Sequence, residues 1–163
     1  MSEKPTAELG LFDSAFGYGQ LPSLTGFLLR KASVLDFGNF GEAVGDRTIT
    51  PLRYSVLEVV GANPGLQQVQ LAAILGLTKP AATLAIDFWQ SRNCIARRQD
   101  RKDRRSHGVY LTPAGEDTLA ELQKLVARHD RGLTASLSAS ELGQLHSLLQ
   151  RIVASQAEEV AAV

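Results

Sequence analysis

The chain is short of cysteine, of net charge and of long apolar runs, and each shortage excludes something. One cysteine, Cys94, among 163 residues rules out an internal disulfide framework and suits a reducing compartment. Seventeen basic and seventeen acidic side chains give a formal net charge of zero, so a polyanion would have to be met by one face rather than by general basicity. No apolar run approaches the roughly 20 residues of a membrane span, and no membrane association is expected. The start, MSEKPTAELG, lacks the basic opening and apolar core of a secretory signal, so a cytoplasmic location is expected. Internal repeats and low-complexity tracts are absent. His107, His129 and His146 are widely spaced, with no carboxylate or thiol at ligand spacing. No nucleophile–base pair, Gly-rich phosphate loop or paired-carboxylate motif is recognisable. Neither a metal, a cofactor nor an enzymatic activity is expected.

What is present is concentrated between Leu71 and Thr112. Leu71, Ile74 and Leu75 give a short helix an apolar face, and Gly76 permits a tight turn. Thr78 can cap a second helix, with Pro80 in its first turn, where the missing N–H is not needed. Ala82, Ala85, Ile86 and Trp89 recur at helical spacing and should face the core, and Asn93 suits a left-handed helix end. This is the form of a helix-turn-helix, whose second helix enters the DNA major groove. A charged stretch follows. From Arg97 to Arg105 six basic residues (Arg97, Arg98, Arg101, Lys102, Arg104, Arg105) stand against Asp100 and Asp103, a local net of +4. The flanks Cys94-Ile95-Ala96 and Val109-Tyr110-Leu111 read as strands, so the charges lie on a loop between them. A two-stranded ribbon with a basic tip beside a recognition helix is a winged helix-turn-helix, and its tip can place an arginine in the minor groove.

The rest of the chain reads as helical. Met1 to about Gln20 forms an arm, with Leu11, Phe12, Phe16 and Tyr18 too apolar for a purely solvated tail. Ser23 can cap a long, wide-faced helix carrying Leu24, Phe27, Leu28, Val34 and Leu35, whose end Gly38 and Gly41 weaken. Thr50-Pro51 starts another helix and Asn63-Pro64-Gly65 ends it. Gln67 or Gln68 opens the first helix of the helix-turn-helix, with a weaker cap than serine would give. Thr112-Pro113 launches a helix striped by Leu119, Leu122, Leu125 and Val126 that can continue to His129 and Leu133. Ser138 to Glu141 forms a capping box ahead of a seam of Leu142, Leu145, Leu149 and Ile152. The expected fold class is mainly α with a small β wing, joined to a helical platform.

With these residues in view, the chain resembles the MarR family of winged-helix regulators from about Ser23 to Ala154. Asn63-Pro64-Gly65-Leu66, Leu71-Ala72 and Leu75-Gly76 carry the likeness, and above all DRKDRRSHGVYLTPAG from Asp100 to Gly115. That segment is similar to the family's D-x-x-D-x-R, strand, L-T-x-x-G signature. The resemblance implies a homodimer on a pseudo-palindromic duplex operator, and a ligand-responsive repressor is the expected function. It divides the chain into an arm (1–22), a dimerisation helix (23–48), a winged helix-turn-helix (49–112) and C-terminal dimerisation helices (113–163). It implies that Arg105 enters the minor groove with Asp103 orienting it, and that Arg101, Lys102 and Arg104 meet phosphates. Gln68, Thr78, Lys79, Ala81, Thr83 and Leu84 complete the candidate DNA-binding set. Many relatives carry an arginine where this chain has Leu84, and a polar or basic residue where it has Phe88. Leu84 could touch a thymine methyl and Phe88 could line a pocket, or both could be covered by a neighbouring element.

The resemblance also implies a pocket for a small aromatic acid, a phenolic or an aromatic acyl-CoA. Phe27, Arg30, Lys31, Arg53, Tyr54 and Phe88 are the candidates to line it; Phe27 and Tyr54 could equally be core, and the basic residues solvated. Two other functions compete. One is a winged-helix protein-interaction module, whose basic wing meets an acidic partner. The other is a thiol-based redox-sensing regulator using Cys94, against which stands the reading of that thiol as a buried small hydrophobe.

Overall fold

The computed structural model describes residues 15–99 and 107–161, with side chains through Ser155. Two compact units meet in the chain at Pro51.

The first unit holds a 3-10 turn, Leu21–Ser23, and helix α1, Thr25–Ala43. Ser23 does not cap α1. Pro22, whose fixed φ suits a first turn, sets up the 3-10 turn and moves the helix start beyond Ser23. The Ser23 hydroxyl instead donates to Gln20 O at 2.8 Å, and the cap position falls to Leu24, which supplies no side-chain bond. Gly38 and Gly41 sit near the end of α1 without breaking it. Each costs about 1 kcal/mol of helix propensity but leaves the hydrogen-bond ladder intact, and the helix runs through both. Phe40 is buried, whereas Leu24, Leu28, Leu29, Val34 and Phe37 are each at least 40% exposed, so α1 is apolar over a wide arc. Of the apolar arm residues, Phe16 is exposed, and Leu11 and Phe12 lie outside the described residues.

The second unit opens with α2, Pro51–Ala62, which starts at the expected proline and stops before Asn63-Pro64-Gly65. A two-residue strand β1, Leu66–Gln67, leads into α3, Gln68–Ile74. The glutamine cap of α3 is better than its residue type suggested, because the Gln70 side chain accepts from the Gln67 N–H at 2.9 Å. Gly76, at φ +62°, turns the chain into α4, Lys79–Ser91. Strands β2, Ile95–Gln99, and β3, His107–Leu111, follow, then α5, Pro113–Leu133, and α6, Ala139–Ala161.

The sheet is antiparallel in the order β1-β3-β2, with Leu66 opposite Val109 and Ile95 opposite Leu111. Sequence periodicity did not disclose β1, which is too short for an alternating pattern. The core of this unit is made where the helix-turn-helix meets the wing. Val56, Leu57 and Val60 of α2, Leu71 of α3, Ile86 and Trp89 of α4, and Ile95 and Val109 of the strands are all essentially inaccessible. Each such side chain contributes about 1.5–3 kcal/mol on burial. Ala82 and Ala85 are buried beside them, so the helical spacing reported the inward face of α4 correctly. The Trp89 indole N–H is satisfied, donating to Arg53 O at 2.7 Å and fastening α4 to α2.

Helix α5 begins as Thr112-Pro113 predicts: the Gly115 N–H donates to the Thr112 hydroxyl at 3.0 Å. Gly115 has no room for a side chain, since a Cβ there would lie 2.0 Å from Cys94 O. Leu119 and Leu122 are buried on α5. The Ser138–Glu141 capping box forms, with the Ser138 N–H donating to the Glu141 carboxylate at 2.8 Å and the Glu141 N–H to the Ser138 hydroxyl at 3.3 Å. On α6 the seam is only half covered within one chain: Leu142 and Leu149 are half-buried, while Leu145, Leu148, Ile152 and Val153 are exposed. No single described helix is long and apolar enough to cross a membrane.

Candidate nucleic-acid interface

Helix α4 is fixed at its start by Thr78, whose hydroxyl accepts from the Ala81 N–H at 3.4 Å. Its inward face is the Ala82, Ala85, Ile86, Trp89 stripe, so the 3.6-residue period turns Lys79, Leu84 and Asp87 outward, and all three are exposed. Gln68 of α3 reaches across to this helix. Its amide Nε2 donates to the Thr83 hydroxyl at 2.6 Å and to Lys79 O at 3.4 Å, while Thr83 Oγ1 donates to Lys79 O at 3.0 Å. Gln68, Lys79 and Thr83, singled out separately in the sequence, are thus one hydrogen-bonded group that clamps the two helices of the motif. Ala81 is half-buried beside it. Leu84 stands alone, 71% exposed.

The wing ribbon is longer than its apolar residues indicated. Arg97, Arg98 and Gln99 belong to β2, not to the loop. Arg97 also does not offer its charge freely: Nη2 lies 2.6 Å from Asp87 Oδ1 of α4, and Nη1 donates to Gln90 Oε1. Asp87 and Gln90 were not foreseen, because nothing local in the sequence marks a pairing between a helix and a strand ten residues away. The Arg98 guanidinium lies 5.0 Å from the Tyr110 ring centroid, on the other side chain row of the ribbon. Arg101, Lys102, Asp103, Arg104 and Arg105 lie outside the described residues.

At the base of the wing, Asn93 takes the left-handed conformation expected of it, φ 57°. The Thr112 N–H donates to Cys94 O at 3.0 Å and its hydroxyl donates to Asn93 O. Cys94 is buried at 4% exposure, its sulfur 3.6 Å from Thr118 Oγ1 and 3.5 Å from Arg92 O.

The candidate ligand residues divide between the two units. In the first, Lys31 Nζ stands 5.8 Å from the centroid of the Phe27 ring, and Arg30 is exposed. In the second, Phe88 is neither free nor core. It is half-buried, with the guanidinium carbons of Arg53 and Arg92 at 3.8 and 4.4 Å from its centroid and the Trp89 ring edge-on at 5.0 Å. Tyr54 is turned to Glu58, to which its hydroxyl donates. Burial, then the hydrogen bond and negative charge of Glu58, push the Tyr54 phenol above its ordinary range. Gln123 of α5 donates to the other Glu58 oxygen at 3.3 Å. A cavity of about 670 Å³ opens beside this group, lined among others by Glu58, Arg98, Tyr110, Glu116 and Leu119. None of the six candidates lines it, and it could not be read in advance because its walls come from α2, the wing and α5. Among the described residues no group of three or more histidine, cysteine or acidic side chains could hold a metal ion.

A three-stranded wing locked to an outward-facing helix of a helix-turn-helix defines a winged-helix transcriptional regulator. Comparison with known proteins narrows this. The MarR family model matches residues 48–106. A relative from Thauera aromatica, described as a proposed transcriptional regulatory protein for the hcr operon, is 30% identical over 147 residues, 90% of this chain and 89% of its own. The transcriptional repressor CouR bound to a 23-mer DNA duplex superposes with a TM-score of 0.79 at 36% identity, covering 85% of this chain and 98% of that one. CouR bound to p-coumaroyl-CoA gives 0.77 at 33% identity, covering 85% and 97%. The chain belongs to the MarR family of transcriptional regulators, a family of DNA-binding proteins rather than enzymes.

Proposed function

We propose that this regulator is a cytoplasmic repressor that binds a pseudo-palindromic operator as a homodimer and is released by a small aromatic acid or an aromatic acyl-CoA. The observation that carries the DNA-binding part is the Arg97–Asp87 pair, which holds a basic ribbon at a set angle to the exposed face of α4. Such an arrangement presents a helix to a major groove and a loop to the neighbouring minor groove. Within that loop Arg105 is the minor-groove residue, oriented by Asp103, and Arg101, Lys102 and Arg104 neutralise phosphates. The exposed apolar arcs of α1 and α6 favour the dimer, since apolar surface of that extent is normally covered. The relative held with p-coumaroyl-CoA supports the ligand class. In this chain Arg53 and Arg92 gather two cations about Phe88, a positive cluster suited to the anionic group of an aromatic acid.

The test is duplex binding by the full-length chain across a range of salt, with and without aromatic acids and their CoA esters. The expected result is a steep fall in affinity with salt and release by at least one compound. A salt slope near zero would remove the DNA reading, and indifference to every compound would remove the ligand.

A further inference from the structure

Reading a base edge requires side-chain groups that are still available. Guanine is read mainly by donors, adenine by an amide offering a donor and an acceptor together, and thymine by an apolar group against its methyl. At the junction of α3 and α4 the Gln68 and Thr83 side chains are engaged with each other, while Lys79 takes part only through its backbone carbonyl and leaves its side chain exposed. Gln68 Nε2 donates to Thr83 Oγ1 at 2.6 Å and lies 3.4 Å from Lys79 O, and the Thr83 hydroxyl donates to Lys79 O. Swinging the Gln68 amide away toward a base would therefore cost the 2.6 Å bond that joins the two helices. One turn beyond Pro80, the outward position is Leu84, 71% exposed and the most exposed of the large apolar side chains among the described residues. Phe88, the next outward apolar group, is occupied by two guanidiniums.

Resting on the DNA-binding reading above, we infer that Leu84 determines sequence preference by packing on a thymine methyl in the major groove. The clamp keeps Gln68 and Thr83 from competing for the same base pair. At the pair facing Leu84 the helix thereby reads a methyl group rather than a hydrogen-bond edge. Its preference within each half-site is for T·A at the pair facing Leu84.

The experiment uses the full-length chain and a duplex selected from a random pool, in which each thymine is then replaced singly by deoxyuridine. Uracil keeps every hydrogen-bonding edge and removes only the methyl. One position per half-site should lose about fourfold in affinity for the unaltered protein, the value of one buried methyl-sized group. Leu84→Ala should bind the thymine duplex more weakly and show less than about a 1.5-fold difference between thymine and uracil there. Leu84→Met, which keeps an apolar tip, should retain the difference. Leu84 is so exposed that neither change should lower the melting temperature, and that measurement accompanies the binding. A methyl effect that is absent at every position, or equally large in Leu84→Ala, overturns the inference while leaving DNA binding intact. A pool from which nothing is selected overturns the DNA-binding reading and the inference with it.

Discussion

Asp87 of α4 and Arg97 of the wing strand form a 2.6 Å ion pair, with Gln90 as a second acceptor on the same helix. Asp87 is half exposed and Arg97 about a quarter exposed, at 51% and 27% of their side-chain surface, so solvent screening limits the pair's contribution to stability. Its larger effect is angular, because it joins the two elements that would have to enter neighbouring grooves together. Asp87→Asn removes a negative charge from the proposed interface and on charge alone should tighten DNA binding. The expectation is the opposite: weaker binding, with stability changed by less than about 1 kcal/mol. Tighter binding, measured by anisotropy at one fixed salt concentration, would show that the pair does not position the wing.

Arg105→Ala should damage binding more than Lys102→Ala, although each removes one positive charge from the same loop. A specific groove contact is worth on the order of 1–3 kcal/mol, whereas a phosphate contact mainly lowers the salt slope by about one unit. Asp103→Ala adds net positive charge and should nevertheless weaken binding if Asp103 orients Arg105. Equal losses from Arg105 and Lys102, with tighter binding from Asp103→Ala, would reduce the wing tip to a cloud of charge.

Oxidation should not switch this protein. Cys94 is buried, and its sulfur faces Thr118 Oγ1 and Arg92 O, so a serine there would find hydrogen-bond partners. Cys94→Ser should keep both operator binding and effector release, and the native thiol should react with a maleimide only as the protein unfolds. Fast labelling of the folded protein, together with a Cys94→Ser variant deaf to peroxide, would restore the redox reading.

Gly115→Ala should destabilise by 3 kcal/mol or more, toward the upper end of overpacking effects, because its methyl would meet Cys94 O at 2.0 Å and the obstacle is backbone. Urea unfolding gives the value. A loss below about 1 kcal/mol would mean that α5 can shift away from the wing at little cost.

What the sequence disclosed and what it concealed separate along a physical line. The starts of α4 and α5 were legible at Thr78 and Thr112 because a cap bonds only three residues ahead. The inward face of α4 was legible because Ala82, Ala85, Ile86 and Trp89 repeat with the helix period. Ser23 misled because Pro22 could serve a 3-10 turn as well as a helix. Arg97 misled because a strand end with consecutive arginines looks like a charged loop until its helix partner is known. Gln68 and Thr83 were singled out for what they could offer DNA. Their commitment to each other arises only when α3 and α4 cross, fifteen residues apart in the chain. The cavity beside Glu58 is concealed for the same reason, since it exists only between distant elements.

Thr112 bonds to Asn93 and Cys94 on one side and begins α5 on the other, so the root of the wing and the root of a long helix share one pivot. Helix α5 has 21 residues and, at 1.5 Å per residue, is about 32 Å long. A tilt of about 5° at the pivot therefore moves its far end by about 3 Å, by the geometry of a rod of that length. Read in reverse, a shift of a few ångströms at the distant tip reaches the wing as a small rotation. Leverage of this kind turns a coarse shift at the far end into a fine angular adjustment at a tightly bonded root.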